Sequence, residues 1–487
     1  MLILETIWWL LFFSALGLCI GSFLNVVIYR LPRDCSLRQP LWSACPGCKH
    51  RIHWFDNLPV ISFVILGGRC RHCAVPISTR YPVIEILMTL IVLMFVDAFL
   101  IAGVRSGLSD SPFGLTDRLS HDWPILLAHI VLFACLLPMS AIDLEYYWVD
   151  VRFTNFATLT GFVCHAIWTP ALSSDWIRPT DTTALASLCA LVGLGVVWVW
   201  RICRPHVDPD SFEPAVDPEA TGSTDSPAPR RPPMSLASRS RAAGWVAGLL
   251  LLGMLVVLFL DEATTVAMRH SGRAMVVLVF FFALIVWENS LSRPSDRVIA
   301  DAIQEERHGA RRMVLDELVL LLPALGAAVF GYWLMAGGSP FAEGIHEGFH
   351  DGIRLGDSAL LRNWRPIYGL ATAASGYVIG GALGWAIRII FTLAFGKEAF
   401  GTGDIHLMAA AGCVAGWPVV LLGFFLTCAL AMIGWIAALP FKRTRAVAFG
   451  PWLSLSFLCI VVFHDSIVKW PVVERAILVW HMVGGGP

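Results

Sequence analysis

The sequence predicts an all-α polytopic membrane protein with about twelve transmembrane helices and a small cytoplasmic zinc-binding insertion. Three observations support this fold class. The chain of 487 residues is 57% hydrophobic and only 15% charged, whereas soluble domains carry about 25% charged residues. Long apolar runs recur along the chain, and the connections between them concentrate Lys and Arg in a few clusters. Two Cys-x-x-Cys pairs lie in one polar segment near the N-terminus.

The predicted membrane spans follow from the apolar runs, each bounded by polar or charged residues. They lie at approximately 7–28, 83–101, 125–142, 153–168, 184–199, 243–260, 275–286, 315–335, 369–396, 405–416, 419–439 and 452–463. The first run follows Glu5 and has no basic residue before it, so we interpret it as a retained span and not as a secretory signal.

The distribution of basic residues predicts the orientation of the spans. The first span ends beside Arg30, which the positive-inside rule places in the cytoplasm. Alternating the sides from that point places every basic cluster inside, at 30–33, 68–80, 201–241, 293–312 and 442–445. The same alternation places Asp143 and Asp404 at cytoplasmic ends of spans. The net charge of −1 and the absence of a basic domain predict no nucleic-acid partner, leaving the lipid bilayer as the expected environment.

Three glycines in the span at 369–396 recur at four-residue spacing, at Gly376, Gly380 and Gly384. This spacing places small residues on one helix face and predicts close helix packing in lipid. Arg388 lies in the same apolar run, where pairing with an acid is favoured over snorkelling or substrate binding. His346 and His350, in a polar connection, are interpreted as a solvated face in preference to a metal site.

The cysteine pairs predict a structural metal site. Cys45 and Cys48 form the first pair, and Cys70 and Cys73 form the second. Four thiolates at this spacing suit tetrahedral zinc, and four ligands leave no open position for catalysis. The alternatives are two disulfides or four free thiols, and a cytoplasmic location argues against disulfides.

Two carboxylates stand out at span ends. Asp143 ends the third span, and Asp404 follows two glycines in Gly401-Thr402-Gly403-Asp404, where we expect glycine to permit a tight backbone turn. If the two helices pack together, one carboxylate would keep a proton while the other deprotonates a water, as in aspartyl proteolysis. The alternative is that each Asp caps a helix or faces water at the membrane interface.

At this level of detail the chain resembles the prepilin peptidases (type IV leader peptidases), which are membrane aspartyl proteases with a GxGD motif. The resemblance covers the chain to about residue 162 and resumes at about residues 376–454. Five features carry it, in order: Gly21-Ser22-Phe23-Leu24-Asn25-Val26-Val27-Ile28-Tyr29-Arg30-Leu31-Pro32; the two Cys-x-x-Cys pairs with Asp56-Asn57-Leu58-Pro59 between them; Arg80-Tyr81-Pro82 with Glu85; Ile142-Asp143-Leu144; and Gly396-Lys397-Glu398 leading into the GxGD motif, with Phe449-Gly450-Pro451 later.

The resemblance implies a reaction and a location. Such enzymes, in the bacterial inner membrane, cut the short basic leader from type IV prepilins and pseudopilins at the cytoplasmic face, typically between Gly and Phe. Many also methylate the new N-terminus with S-adenosylmethionine, an activity attributed to the N-terminal cytoplasmic region. The resemblance implies that Asp143 and Asp404 are catalytic and that Cys45, Cys48 and the second cysteine pair bind zinc.

The resemblance also divides the chain into five expected regions. These are the first transmembrane helix (1–32), the four-cysteine zinc domain (33–80), transmembrane helices carrying the first catalytic Asp (81–170), an inserted region with extra spans and a disordered linker at 201–241 (171–366), and the C-terminal peptidase core with the GxGD motif (367–487).

Three departures from the family pattern bear on function. The usual Pro-Asp pair after the first catalytic Asp is replaced by Trp148-Val149-Asp150, and His406 stands where Lys is usual. The third is the inserted region, whose even number of candidate spans keeps Asp404 on the cytoplasmic side. The first two departures motivate an alternative function, a catalytically impaired homologue that binds pilin-like proteins without cleavage. A transporter is disfavoured because the spans are nearly free of acids.

Overall fold

The structure is a computed structural model of the chain. It describes residues 2–33, 35–37, 42–105, 107–147, 149–168, 180–203, 266–289, 310–336, 365–396, 398, 400–438, 448–475 and 479. Across these ranges the regular structure is helical, apart from two isolated antiparallel bridges near the cysteine pairs. The predicted all-α class is therefore confirmed.

The described parts of the chain contain thirteen α-helices. They are α1 (Leu2–Arg30), α2 (Ile61–Ile65), α3 (Arg80–Val96), α4 (Leu115–Tyr146), α5 (Val151–Ile167), α6 (Asp181–Cys203), α7 (Val266–Asn289), α8 (Ala310–Ala336), α9 (Arg365–Phe395), α10 (Thr402–Ala415), α11 (Trp417–Ala438), α12 (Gly450–Val462) and α13 (His464–Val468).

Among the described residues, seven helices are long and apolar enough to cross a membrane. They are Leu4–Arg33, Arg80–Ile101, Leu115–Tyr146, Thr182–Trp200, Ala310–Ala336, Pro366–Phe395 and Trp417–Ala437. Shorter apolar helices cover Gly272–Val286 and Gly450–Val462. A multi-span membrane protein is thus confirmed, whereas the predicted count of about twelve spans is not.

Three of the predicted spans form helices shorter than a membrane crossing requires. The runs at 153–168, 405–416 and 452–463 form α5, of 17 residues, α10, of 14 residues, and α12, of 13 residues. A crossing normally needs about 20 residues. The predicted span at 243–260, nearly all of the linker at 201–241, both histidines of the polar connection and the basic cluster at 442–445 lie outside the described residues.

Helix α1 packs closely on α3 through the first stretch that carries the family resemblance. A Cβ atom at Gly21 would lie 2.6 Å from the Cα of Glu85, so only glycine permits this approach. One turn later, the Asn25 side-chain amide donates to the Tyr81 carbonyl over 2.9 Å. Residues from two separate sequence motifs therefore meet at one helix–helix contact.

The predicted glycine face of α9 packs against α10. A Cβ at Gly380 would lie 2.8 Å from the Met408 carbonyl oxygen, and one at Gly384 would lie 3.2 Å from the Ile405 side chain. Gly376 lies directly against the backbone of Gly412. The prediction of close packing is confirmed, and it fixes the short helix α10 beside a full-length span.

Helices α6 and α8 form a closely packed pair beside α9. A Cβ at Gly193 of α6 would lie 2.7 Å from the Cα of Ala324 in α8. Ala184 of α6 and Ala371 of α9 are fully buried in one small cluster. The pair therefore contacts the helix that leads toward the GxGD motif.

Helix α7 is attached by polar contacts to α12 and to Asp97, the residue that follows α3. His270 Nδ1 lies 2.7 Å from an Asp97 carboxylate oxygen, and its Nε2 lies 3.0 Å from the Val462 carbonyl oxygen. Arg273 donates to the second Asp97 oxygen over 3.1 Å. Because the His270 and Asp97 side chains are nearly buried, we interpret these contacts as structural pairing.

Candidate active site

Asp143 lies near the C-terminal end of α4, where it is 7% exposed. Its Oδ2 atom accepts a hydrogen bond of 3.0 Å from the backbone N–H of Gly450. Gly450 is the first residue of α12, and helix N-termini carry unpaired N–H groups and partial positive charge that favour a carboxylate. The N-terminus of α12 therefore holds one oxygen of Asp143.

Gly450 is required at this contact because a side chain would meet the acid. A Cβ atom there would lie 2.8 Å from Asp143 Oδ2, closer than carbon and oxygen normally approach. The following Pro451 stands in the first turn of α12, where its missing N–H costs no hydrogen bond. This gives a physical reason for the Phe-Gly-Pro motif.

Asp404 lies in the first turn of α10 and is partly exposed. Its carboxyl group interacts electrostatically with that of Asp143. The packing of α4, α10 and α12 thus brings together the two acids that the sequence singled out, from positions far apart in the chain.

Neither glycine of the GxGD motif forms the tight turn that we predicted, and one of them, Gly403, permits close packing instead. Gly401 has φ −67°, which any residue adopts, and Gly403 lies within α10. A Cβ at Gly403 would lie 2.6 Å from the Cβ of Val149, in the connection that follows Asp143. Gly403 therefore lets the two acid-bearing segments touch.

The connection after Asp143 departs from the family pattern yet has a defined role. The Asp150 side chain caps α5 by accepting a hydrogen bond of 2.8 Å from the Arg152 N–H. The Arg152 guanidinium also pairs with this carboxylate at 2.6 Å. His406, which replaces the usual Lys, is partly exposed on α10 two positions after Asp404. Trp148 lies outside the described residues.

The acid pair and the cysteine segment, which we define as residues 42–79, lie at the same end of the helix bundle. Arg80, at the start of α3, donates to Glu145, near the end of α4, over 3.0 Å. The cysteine segment precedes Arg80 directly, and Asp143 lies two positions before Glu145. This ion pair therefore joins the C-terminal end of the cysteine segment to α4, the helix that carries Asp143.

The four cysteines form one cluster whose sulfur atoms all lie within 4.8 Å of one another. Each pair begins a tight hairpin of the same form. Cys45 exchanges backbone hydrogen bonds with the 49–50 segment, and Cys70 does so with the 74–75 segment. Lys49 and Ala74 then adopt φ of 60° and 54°. The geometry and the soft thiolate donors both fit a tetrahedral metal such as zinc.

The local electrostatics favours a thiolate at Cys70 and opposes one at Cys73. Backbone N–H groups of Cys73 and His72 lower the pKa of the Cys70 thiol to about 6. Despite a hydrogen bond from the Val75 backbone, desolvation and the other three cysteines raise the pKa of the Cys73 thiol to about 11. Beside the cluster, the Arg71 guanidinium contacts Asp56 at 2.5 Å and holds the pKa of that carboxyl below its usual range. A thiol that ionises near neutral pH is a better metal ligand, because metals bind the deprotonated form.

The cysteine segment is fixed to the bundle by the buried Glu85. This carboxylate accepts a hydrogen bond of 2.8 Å from the Val60 N–H and another from Ser22. Val60 adopts φ 59°, an unusual value for a β-branched residue, so the contact holds a strained backbone. A cavity of about 640 Å³ lies between this segment and the ends of α1, α3 and α4.

Sequence reasoning identified these acids and cysteines but missed the residues that hold them. Nothing in the sequence pattern indicates that Gly450 donates to Asp143 or that Arg80 pairs with Glu145. Arg80 and Gly450 do, however, belong to motifs of the family resemblance. The predicted pairing of Arg388 with an acid is confirmed, since it contacts Glu317 and Glu398.

The fold and the site together define a polytopic membrane protein with paired carboxylates and a four-thiol cluster at one end of its helix bundle. Residues 15–99 match the family model described as Bacterial Peptidase A24 N-terminal domain, and residues 358–436 match that of the Type IV leader peptidase family. No solved structure matches the chain.

Curated relatives agree with these matches. A prepilin leader peptidase/N-methyltransferase of Klebsiella pneumoniae is 35% identical over 201 residues, which cover 40% of this chain and 75% of that protein. One from Myxococcus xanthus is 38% identical over 150 residues, covering 31% of this chain and 38% of that protein. The type 4 prepilin-like proteins leader peptide-processing enzyme of Escherichia coli is 36% identical over 173 residues, covering 31% and 54% respectively.

These comparisons place the chain in a family. The chain belongs to the type IV leader peptidase family. It spans between 38% and 54% of the length of the first three relatives that it matches.

Proposed function

We propose that this protein is a membrane aspartyl endopeptidase that removes the leader from type IV prepilin-like precursors, with Asp143 and Asp404 as the catalytic pair. The observation that carries the proposal is the meeting of these two acids at one end of the bundle, in a member of the leader peptidase family. Prepilin leader processing is named in the descriptions of the relatives, and the acids supply a chemistry that fits it.

The proposed mechanism needs one ionised and one protonated carboxyl group. Two carboxylates that lie near each other in a buried site are not both ionised comfortably, so in this mechanism the pair carries one proton. The ionised member takes a proton from a water molecule, whose oxygen attacks the scissile carbonyl carbon. The protonated member gives its proton to the carbonyl oxygen. On collapse, the first acid gives its proton to the peptide nitrogen, which leaves as the new amine. The second acid takes back a proton from a hydroxyl of the tetrahedral diol, so the pair returns to its starting state.

The residues around the pair support this chemistry by fixing its geometry. The Gly450 N–H holds Asp143 Oδ2, so the carboxylate presents a defined orientation to Asp404. The contact of Gly403 with Val149 fixes the spacing of the two acid-bearing segments. Such positioning contributes to catalysis because small displacements of reacting groups cost large factors in rate.

We assign the active-site end of the bundle to the cytoplasmic face. The bundle end that holds the acid pair also holds the basic residues of the cysteine segment and of the end of α1, among them Arg30, Arg33 and Arg69. By the positive-inside rule such residues remain on the cytoplasmic side. The basic leader of a type IV prepilin or pseudopilin would then meet the acid pair before the precursor leaves the cytoplasm.

The four-cysteine cluster would hold a structural zinc ion through Cys45, Cys48, Cys70 and Cys73. When bound, the ion would hold together a polar segment that lacks a large apolar core of its own. Four thiolate ligands would complete a tetrahedral site, so the metal would have no open position for substrate.

N-methylation of the new N-terminus is the second proposed activity, and the cavity beside the cysteine segment is its candidate site. Its volume of about 640 Å³ lies within the range of small-molecule sites. Its lining carries acids, among them Glu85, that suit the cationic sulfonium and ammonium groups of S-adenosylmethionine, and basic side chains, among them Arg30 and Lys49, that suit its carboxylate. Binding of radiolabelled S-adenosylmethionine by the purified protein, with displacement by sinefungin, would support this placement. If the protein retains no label in equilibrium dialysis at saturating S-adenosylmethionine, this placement is contradicted.

The peptidase proposal is tested with a model prepilin in membrane vesicles that contain the protein. We expect loss of the leader, and mass spectrometry of the product should place the cut at the leader junction. A substrate with that junction altered at both flanking residues serves as the matched control and should remain intact. Binding of the precursor without any cleavage would instead support the impaired homologue, which His406 and the missing Pro motivate.

A further inference from the structure

Arg388 is a fully buried cation, 1% exposed, on the apolar helix α9. A buried charge is costly unless it is paired and fully hydrogen-bonded. Its partners come from two directions. Glu317 lies on α8, whereas Glu398 and Phe400 lie in the connection between α9 and the GxGD motif.

The guanidinium group divides its donors between these partners. Nε and Nη2 donate to the two carboxylate oxygens of Glu317 over 3.0 and 3.1 Å, which is a bidentate fork. Nη1 donates to the Phe400 carbonyl over 2.5 Å and to the Glu398 carboxylate. Because the fork fixes the plane of the guanidinium, it also fixes where the third nitrogen points.

Phe400 connects this network to both acids. It immediately precedes the Gly401–Asp404 motif, and only 8% of it is exposed. Its ring lies 5.5 Å from the ring of Phe449, centroid to centroid. Phe449 in turn precedes Gly450, whose N–H holds Asp143. A displacement of Phe400 would therefore move the segment of Asp404 and disturb the residue beside the Asp143 donor.

Helix α8 makes a second contact with the same connection. Gly396 follows the last residue of α9 with φ +68°, and the Arg311 guanidinium lies 3.3 Å from the position of a Cβ atom there. The start of α8 thus contacts the beginning of the connection through Arg311 and its end through the Glu317–Arg388 pair. Residue 317 lies outside both ranges that match family models, 15–99 and 358–436.

We infer that Glu317 is a positioning residue for the proposed peptidase reaction, which orients the GxGD segment through Arg388. The inference rests on the proposed function, and it gives the predicted insertion a role beyond packing. Glu317 touches neither acid, so its effect is on the placement of Asp404 and not on proton transfer itself.

The first test is kinetic and uses Glu317→Gln, which keeps the side-chain shape but removes the charge and one acceptor. We expect kcat for prepilin cleavage to fall about tenfold or more with KM nearly unchanged, as for a group that acts on the transition state. Asp316→Asn is the matched control, because Asp316 is an exposed acid on the same turn of α8. An unchanged kcat per folded molecule, with only a lower yield or melting temperature, would overturn the inference.

The second test measures the placement of Asp404 without proteolysis. In an Asp143→Cys, Asp404→Cys variant, copper phenanthroline should form a disulfide between the two positions, which mass spectrometry of peptides quantifies. Adding Glu317→Gln should slow its formation about tenfold, whereas Asp316→Asn should not. In an Arg388→Met background, Glu317→Gln should add no further effect, because coupled residues are not additive.

The two tests separate the inference from the proposed function. If the wild type does not cleave prepilin but the cross-linking rate still depends on Glu317 through Arg388, the peptidase proposal fails and the positioning role stands. An equal cross-linking rate with and without Glu317 would overturn the positioning role, whatever the cleavage assay shows.

Discussion

At the scale of single residues, Gly450 is where one added carbon should have the largest effect. A Cβ atom there would meet Asp143 Oδ2 at 2.8 Å, so Gly450→Ala should displace the carboxylate from its donor. We expect kcat for prepilin cleavage to fall about 10- to 100-fold. Gly195→Ala is the control, because a Cβ at Gly195 meets nothing within 4 Å. Equal activity of the two variants would show that the Gly450 contact does not matter.

Gly403 offers a test with a built-in rescue. Gly403→Ala places a methyl group 2.6 Å from the Cβ of Val149, which should force the acid-bearing segments apart and lower activity by about tenfold or more. Removing the opposing Cβ with Val149→Gly in the same chain should restore part of that activity. If the double variant is no better than Gly403→Ala, the contact is not the cause of the loss.

At the scale of elements, the cysteine segment is predicted to depend on its metal. Purified wild-type protein should contain about one zinc per chain, by plasma mass spectrometry. Cys48→Ser and Cys73→Ser should each reduce that content and make the segment more susceptible to protease, because the metal replaces a core. Cys35→Ser is the control, since Cys35 is exposed in the same polar region but outside the cluster. Full zinc content in the cluster variants would contradict the assignment.

The comparison of sequence and structure also belongs to this scale. Apolar runs predicted the helices, and the glycine spacing predicted the face of α9 that packs on α10, because both are local patterns. The runs did not distinguish α10, of 14 residues, from a full crossing. A short apolar run has the same composition whether its helix spans lipid or is packed among other helices. Counting each run as a span therefore gave a number that the structure does not confirm.

At the scale of the whole molecule, the contacts that hold the acids join distant parts of the chain. The hydrogen bond from Gly450 to Asp143 links residues 307 positions apart, and the Arg388–Glu317 pair links residues 71 positions apart. A single sequence has no local signal for such pairings. Family motifs directed attention to several of these residues, but Glu317 stands in no motif, and only the fold places it beside Arg388.

The proposed chemistry depends most directly on the two acids acting together. Prepilin cleavage should therefore be measured in membranes for the wild type, Asp143→Asn and Asp404→Asn, with expression level and melting temperature compared to verify folded protein. Asn keeps the size of the side chain and removes its acid–base function. We expect cleavage by the wild type and its loss, by at least about a thousandfold, in both variants. Full activity in either variant would contradict the aspartyl mechanism.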